Sequence, residues 1–184
     1  MVQKICKLLL KWMGWKVVSG VVPDKKAIVI GVPHTSALDF VISWMYYTSV
    51  GGKASTVIKK EFFFWPMTII LRWMNAIPVD RSKGASLVKQ VIDEFNSREM
   101  LHLAITPEGT RTPTKRWKAG FHAIAKATGA KVYLAFFDWG NKRVGWYDTF
   151  EITDDAQADI KRMKAYYRKL GVIGKHPERF ITEE

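Results

Sequence analysis

The sequence predicts a single α/β domain, with a largely parallel sheet flanked by helices and an amphipathic helix at the N-terminus. Three observations carry this. Short apolar runs of strand length alternate with longer stretches of helical period, the pattern that yields parallel strands joined by crossover helices. The 184 residues suit one domain with a sizeable core. Hydrophobic residues at 48% against 25% charged, with no excess of Gly or Pro, exclude a disordered chain.

Residues 1–20, "MVQKICKLLLKWMGWKVVSG", form the first unit, and residues 21–184 the folded domain. At 100° per residue, Lys4, Lys7 and Lys11 make one narrow stripe. Ile5, Leu8, Leu9, Trp12, Met13 and Trp15 take a broad opposite face. This is the pattern of a helix lying in a membrane interface. Lysines interrupt the apolar core a signal peptide needs, and the stretch is short of the roughly 20 apolar residues that span a bilayer.

"KKAIVIGVP" then reads as a buried strand, "LDFVISWMYYT" as a helix and "KASTVIK" as a second strand. "EFFFWPMTIILRWMNAI" is free of charge from Phe62 to Leu71 and reads as a buried or interfacial helix with Pro66 in its first turns. "AIPVDR" is a brief strand ending in Arg81. "GASLVKQVIDEFNS" places apolar residues at 87, 88, 91, 92 and 95, an amphipathic helix. "MLHLAIT" is a strand, "PEGTRTPTKRWKAG" a loop, and "FHAIAKATG" a helix ended by Gly129. "KVYLAFF" and "RVGWYDTFEI" are later strands, and "DAQADIKRMKAYYRKLG" is a polar surface helix.

Net charge is +12, and 20 of the 29 Lys and Arg, against 9 of the 17 Asp and Glu, fall in residues 1–139. Such a front half calls for an anionic partner. The sequence has no nucleic-acid motif of recognisable type, no Walker A pattern and no glycine fingerprint after a strand. Cys6 stands alone, so there is neither an internal disulfide nor a cysteine-rich metal site. His102, His122 and His176 have no ligand-type spacing, and no metal is expected.

Functional loops of parallel sheets sit at the carboxyl ends of strands, where "PHTSALD", "VDRS" and "TPEGTR" would converge. His34 and Asp39 could form a proton-handling pair, the carboxylate fixing the imidazole tautomer. Taken alone, the pair reads more readily as an ordinary loop histidine and a helix-start aspartate favoured by the dipole. Glu108, Gly109, Thr110 and Arg111 combine a permissive backbone, a hydroxyl and a guanidinium, a mix able to hold phosphate. Arg81 and Lys118 could add charge.

The order of His34-x4-Asp39, an apolar segment ending in Arg81, and "PEGTR" followed by Lys118-x-Gly120 resembles the glycerolipid acyltransferase family. Its members include 1-acyl-sn-glycerol-3-phosphate acyltransferases. The resemblance runs from about Ala27 to about Phe137. It implies that His34 is the general base, that Asp39 orients it, and that Arg81, Glu108, Gly109, Thr110, Arg111 and Lys118 bind the acceptor. It also implies an acyl-CoA or acyl-carrier-protein donor, a lysolipid acceptor, no cofactor and no covalent acyl-enzyme. Thr106 stands where the family usually has Phe, and "VYLAFFDWG" lacks the usual Pro. These departures bear on the acceptor, which could be lysophosphatidate or another monoacylated lipid such as an acylated amino acid. A catalytically idle lipid-binding protein is the non-enzymatic alternative. The expected location is the cytoplasmic face of a membrane, bound peripherally to its anionic surface, with no nucleic acid involved.

Overall fold

The computed structural model describes residues 1–80 and 84–183, the side chains of 84–86 excepted. In chain order the elements are α1 (Val2–Trp12), β1 (Lys16–Val17), β2 (Lys26–Val32), α2 (Leu38–Ser49), β3 (Ala54–Lys59), α3 (Met67–Trp73), β4 (Ile77–Val79), α4 (Gly84–Ser97), β5 (Leu101–Ile105), α5 (Gly120–Thr128), β6 (Lys131–Asp138), β7 (Arg143–Phe150) and α6 (Ala156–Leu170). The seven strands lie in the order β1-β7-β6-β2-β5-β3-β4. Neighbours run parallel except for the β6–β7 hairpin. The expected α/β sandwich with a largely parallel sheet is therefore what forms.

β2 sits at the centre, and its continuous apolar run "AIVIGV" is buried throughout, as a strand covered on both faces requires. Alternation splits its side chains between two cores. Ile28, Ile30 and Val32 face one layer with Val91 and Phe95 of α4, Phe121 and Ile124 of α5, and Met163 and Tyr167 of α6. Ala27 and Val29 face the other layer with Cys6 and Leu10 of α1 and Ile42, Met45, Tyr46 and Tyr47 of α2. Gly31, on the same face as Ala27 and Val29, is a point of close packing. A Cβ there would stand 2.5 Å from the Phe137 ring, so only glycine lets that ring lie against the strand.

Three elements differ from expectation. The apolar stretch after β3 is not one helix: a 3-10 turn at Lys60–Phe62 is followed by the short α3, with Pro66 at its N-cap. Proline has no N–H to give to a continuing helix and disfavours helical backbone at the residue before it, so the helix starts after Trp65. α6 is not merely a surface helix, because Ile160, Met163 and Tyr167, spaced on one face, are buried under the sheet. β1, two residues pairing with β7, is too short for sequence periodicity to show.

α1 buries Cys6 and Leu10, one turn apart, against α2. Its larger apolar residues point away: Ile5, Leu8, Leu9 and Trp12 are exposed, Trp12 at 86%. The segment around α3 is similar, with Phe62, Phe64, Trp65, Ile69, Ile70 and Trp73 exposed. Among the described residues no helix is long and apolar enough to cross a membrane.

Candidate active site

The loop after β2 carries His34, and the first turn of α2 carries Asp39. Asp39 is fully buried and shapes the loop from within. Its Oδ2 accepts hydrogen bonds from the main-chain N–H groups of Thr35 and Ser36, both at 2.7 Å. The same oxygen lies 3.4 Å from Nδ1 of His34. That is an ion-pair separation rather than a formed hydrogen bond, and Nδ1 is buried without a hydrogen-bond partner. Catalytic hydrogen bonds are commonly long before substrate arrives and shorten with it. With Nδ1 turned to Asp39, Nε2 is the ring nitrogen left for the cleft that His34 lines.

The second loop, after β5, brings Glu108 beneath the first. Both its carboxylate oxygens accept from the main-chain N–H of His34, at 3.0 and 2.9 Å. Burial pushes its carboxyl up to about 8, the Asp39 charge adds to the rise, and the His34 N–H opposes it. Near neutral pH Glu108 is therefore largely protonated. It stands behind the histidine as a brace for the loop and does not line the cleft. Gly109 follows at φ 63°, a left-handed turn that favours glycine, and the Lys118 side chain packs over it. The Lys118 N–H donates to Pro107 O at 2.7 Å, so the two ends of the loop are tied together.

His34, Gly109, Thr110, Arg111 and Lys118 all line one cleft of about 890 Å³. Phe40, Trp44, Tyr47 and Met74 supply apolar wall, so a cationic, polar mouth opens onto a hydrophobic interior. Arg111 and Lys118 are exposed at that mouth. Arg81 lies outside the described residues. The Ser36 hydroxyl accepts from the Leu38 N–H at 3.2 Å, beside the start of α2. Cys6 is buried in α1, where burial raises its thiol pKa. His122 rests on Thr153 O and Asp159, away from the cleft. Among the described residues no cluster of His, Cys, Asp and Glu could hold a metal ion.

Sequence reading missed Trp139, whose indole Nε1–H donates to Oδ1 of Asp39 at 2.7 Å. Its one signal was position: it directly follows β6, a strand that runs parallel beside β2 and so ends near the same loops.

A buried carboxylate, a histidine at the rim of an apolar cleft and two cations beside it suit acyl transfer between amphiphiles. The sequence model of the acyltransferase family matches residues 17–135, and the chain belongs to that family: it is an acyltransferase. No curated protein matches the sequence significantly. In fold the chain is similar to the crystal structure of PlsC, the 1-acyl-sn-glycerophosphate (LPA) acyltransferase of Thermotoga maritima. That likeness has a TM-score of 0.60 at 18% identity and covers 92% of this chain and 78% of that one.

Proposed function

We propose that this acyltransferase moves a fatty acyl group from a thioester, acyl-CoA or acyl-carrier protein, to the hydroxyl of a lysolipid, with 1-acyl-glycerol-3-phosphate as the preferred acceptor. The observation that carries the reading is His34, backed by buried Asp39 at 3.4 Å, at the mouth of an apolar cleft flanked by Arg111 and Lys118. His34 Nε2 takes the proton of the acceptor hydroxyl as its oxygen attacks the thioester carbonyl. Asp39 stabilises the imidazolium, and the departing thiolate takes the proton back, so the products are an ester and a free thiol. No covalent acyl-enzyme is needed. Arg111 and Lys118, with Arg81, hold the acceptor's phosphate through charge-assisted bonds. Gly109 and Thr110 shape that wall, and Glu108 keeps the His34 loop in place.

The acceptor sits in a membrane, and the enzyme reaches it by adsorption, on the cytoplasmic face. Within residues 1–20, α1 acts as the interfacial unit, with Ile5, Leu8, Leu9 and Trp12 inserting beside Lys4, Lys7 and Lys11. The exposed aromatic and aliphatic residues around α3 insert alongside. Each near-surface cation adds roughly 1 kcal/mol on an anionic leaflet.

The test is transfer by purified protein to detergent-dispersed lysolipids, with both donor classes run in parallel and products read by lipid mass spectrometry. Wild type should form phosphatidate from lysophosphatidate, and His34→Ala should not. An ester found on another monoacylated lipid alone would keep the chemistry and replace the acceptor. A folded, membrane-bound wild type with no product on any acceptor would show an idle lipid-binding protein.

A further inference from the structure

A carboxylate orients a histidine only if its own plane is fixed, because the lone pairs of each oxygen lie in that plane. In Asp39 the two main-chain N–H groups of Thr35 and Ser36 pin Oδ2 as a point. With Cβ held by α2, the freedom that remains to the carboxylate is a swing of Oδ1 about the line from Cβ to Oδ2. The donor on the other oxygen opposes that swing: Trp139 Nε1–H, at 2.7 Å from Oδ1, on a carboxylate with no exposure to solvent. Together with those bonds it fixes the plane in which the Oδ2 lone pairs lie, and His34 Nδ1 waits 3.4 Å from that oxygen.

The indole is itself held on several sides. Its main-chain N–H donates to Ile173 O at 2.8 Å. Trp15 meets its ring edge-on, with centroids 5.0 Å apart and planes at 82°. The ammonium groups of Lys142 and Lys175 lie over it, each 5.0 Å from the ring centre. Trp15 lies three residues past the end of α1, its N–H closing the turn onto Leu10 O at 2.8 Å, and Lys16 N–H donates to Lys142 O at 2.7 Å. Elements from both ends of the chain thus converge on one side chain whose polar atom is spent on Asp39. A tryptophan that served packing alone would not need its N–H aimed at a buried carboxylate.

We infer that Trp139 is the positioning residue of the His34–Asp39 pair: it acts through Asp39, touches neither substrate nor reacting atoms, and sets the carboxylate plane that orients the imidazole. This rests on the reading of the pair as the proton-transfer machinery. Trp139 lies beyond residues 17–135, the span that the family model matches.

The test exchanges the N–H and keeps the ring. Trp139→Phe and the isosteric replacement of Trp139 by 3-benzothienylalanine, which puts sulfur where the N–H was, are compared with wild type in kcat, KM and thermal melting. A charge-assisted hydrogen bond lost from the pair should lower kcat by about tenfold in both, with both KM values within about twofold. The indole 1H–15N resonance that vanishes in Trp139→Phe should shift upfield in Asp39→Ala. If the isostere turns over like wild type while His34→Ala is dead, Trp139 only packs, and this inference fails with the proposed chemistry intact. If that resonance is unmoved in Asp39→Ala, the hydrogen bond is absent and the inference fails on geometry. A wild type without transfer activity removes the proposed function, and the positioning role with it. A melting temperature that falls steeply for Phe and not for the isostere leaves the isostere's kcat to decide.

Discussion

Replacing Glu108 by Gln should free the fold of a pH dependence that the wild-type carboxyl imposes. Burial raises that carboxyl from an ordinary 4.5 to about 8. The folded protein then keeps a proton that the unfolded chain has already released. Stability therefore falls as pH rises from about 4.5 to about 8 and levels off above. At about 1.4 kcal/mol per pKa unit, this one group costs the wild type about 4 kcal/mol between pH 5 and pH 9. Gln keeps the volume and an acceptor oxygen for the His34 N–H, but it cannot ionise. Urea unfolding of both proteins at pH 5, 7 and 9, followed by tryptophan fluorescence, gives the difference, in which titrating groups not coupled to Glu108 cancel. Glu108→Gln should gain about 4 kcal/mol on wild type from pH 5 to pH 9. A difference flat to within about 1 kcal/mol would refute the reasoning, because Glu108 would then be ionised in the fold and not enclosed behind His34.

His34→Ala should remove at least a hundredfold of the transfer rate, and Asp39→Asn most of it with the fold intact; a near-normal rate in His34→Ala would end the proposed mechanism. Gly109→Ala puts a Cβ 2.8 Å from Lys118 Cδ and Cε on backbone at φ 63°. Lys118 can swing aside, but the backbone strain costs about 1 kcal/mol, and the acceptor KM should rise more than kcat falls. Arg111→Ala should raise the KM for a phosphorylated acceptor about tenfold and leave an uncharged monoacylated acceptor unchanged, as initial-rate kinetics would show. Leu8→Ser with Trp12→Ser removes two exposed residues of α1, so co-sedimentation with anionic vesicles should fall about tenfold or more while activity on a detergent-dispersed acceptor stays within about twofold.

The parts of the fold that were legible in the sequence are those where one periodicity dominates. β2 reads as a strand because its apolar run is short and ends at Gly31 and Pro33, and α4 reads as a helix from its stripe of apolar residues. The segment 61–77 misled because hydrophobicity there is not a folding signal: most of its large side chains stay exposed, and Pro66 resets the backbone. His34 and Asp39 were visible because they lie within one loop and one helical turn. Glu108 was visible as a motif, but not as a neutral brace, since its environment is made by residues 74 positions away. Trp139 was invisible for the same reason: nothing near it in sequence says that Asp39 is within reach of its indole.

These long-range contacts trace to strand register. In β2 and its neighbours, Ile30 stands opposite Ile105 of β5, and Val32 opposite Phe136 of β6. Parallel strands leave the sheet at the same edge, so a few residues past those pairs His34, Glu108 and Trp139 arrive at one level. A register slip of one residue would move a loop by about 3.3 Å along the strand and turn its side chains to the other face. Either change exceeds the tolerance of the contacts from Glu108 to the His34 N–H and from Trp139 to Asp39. The site is therefore held by the same apolar contacts that hold the sheet, and core substitutions on either face of β2 should appear in the transfer rate before they appear as unfolding. Gly31 is the sharpest such point. It lies three residues before His34, and any side chain there must displace the ring of Phe137, two residues before Trp139 on the same stretch of chain.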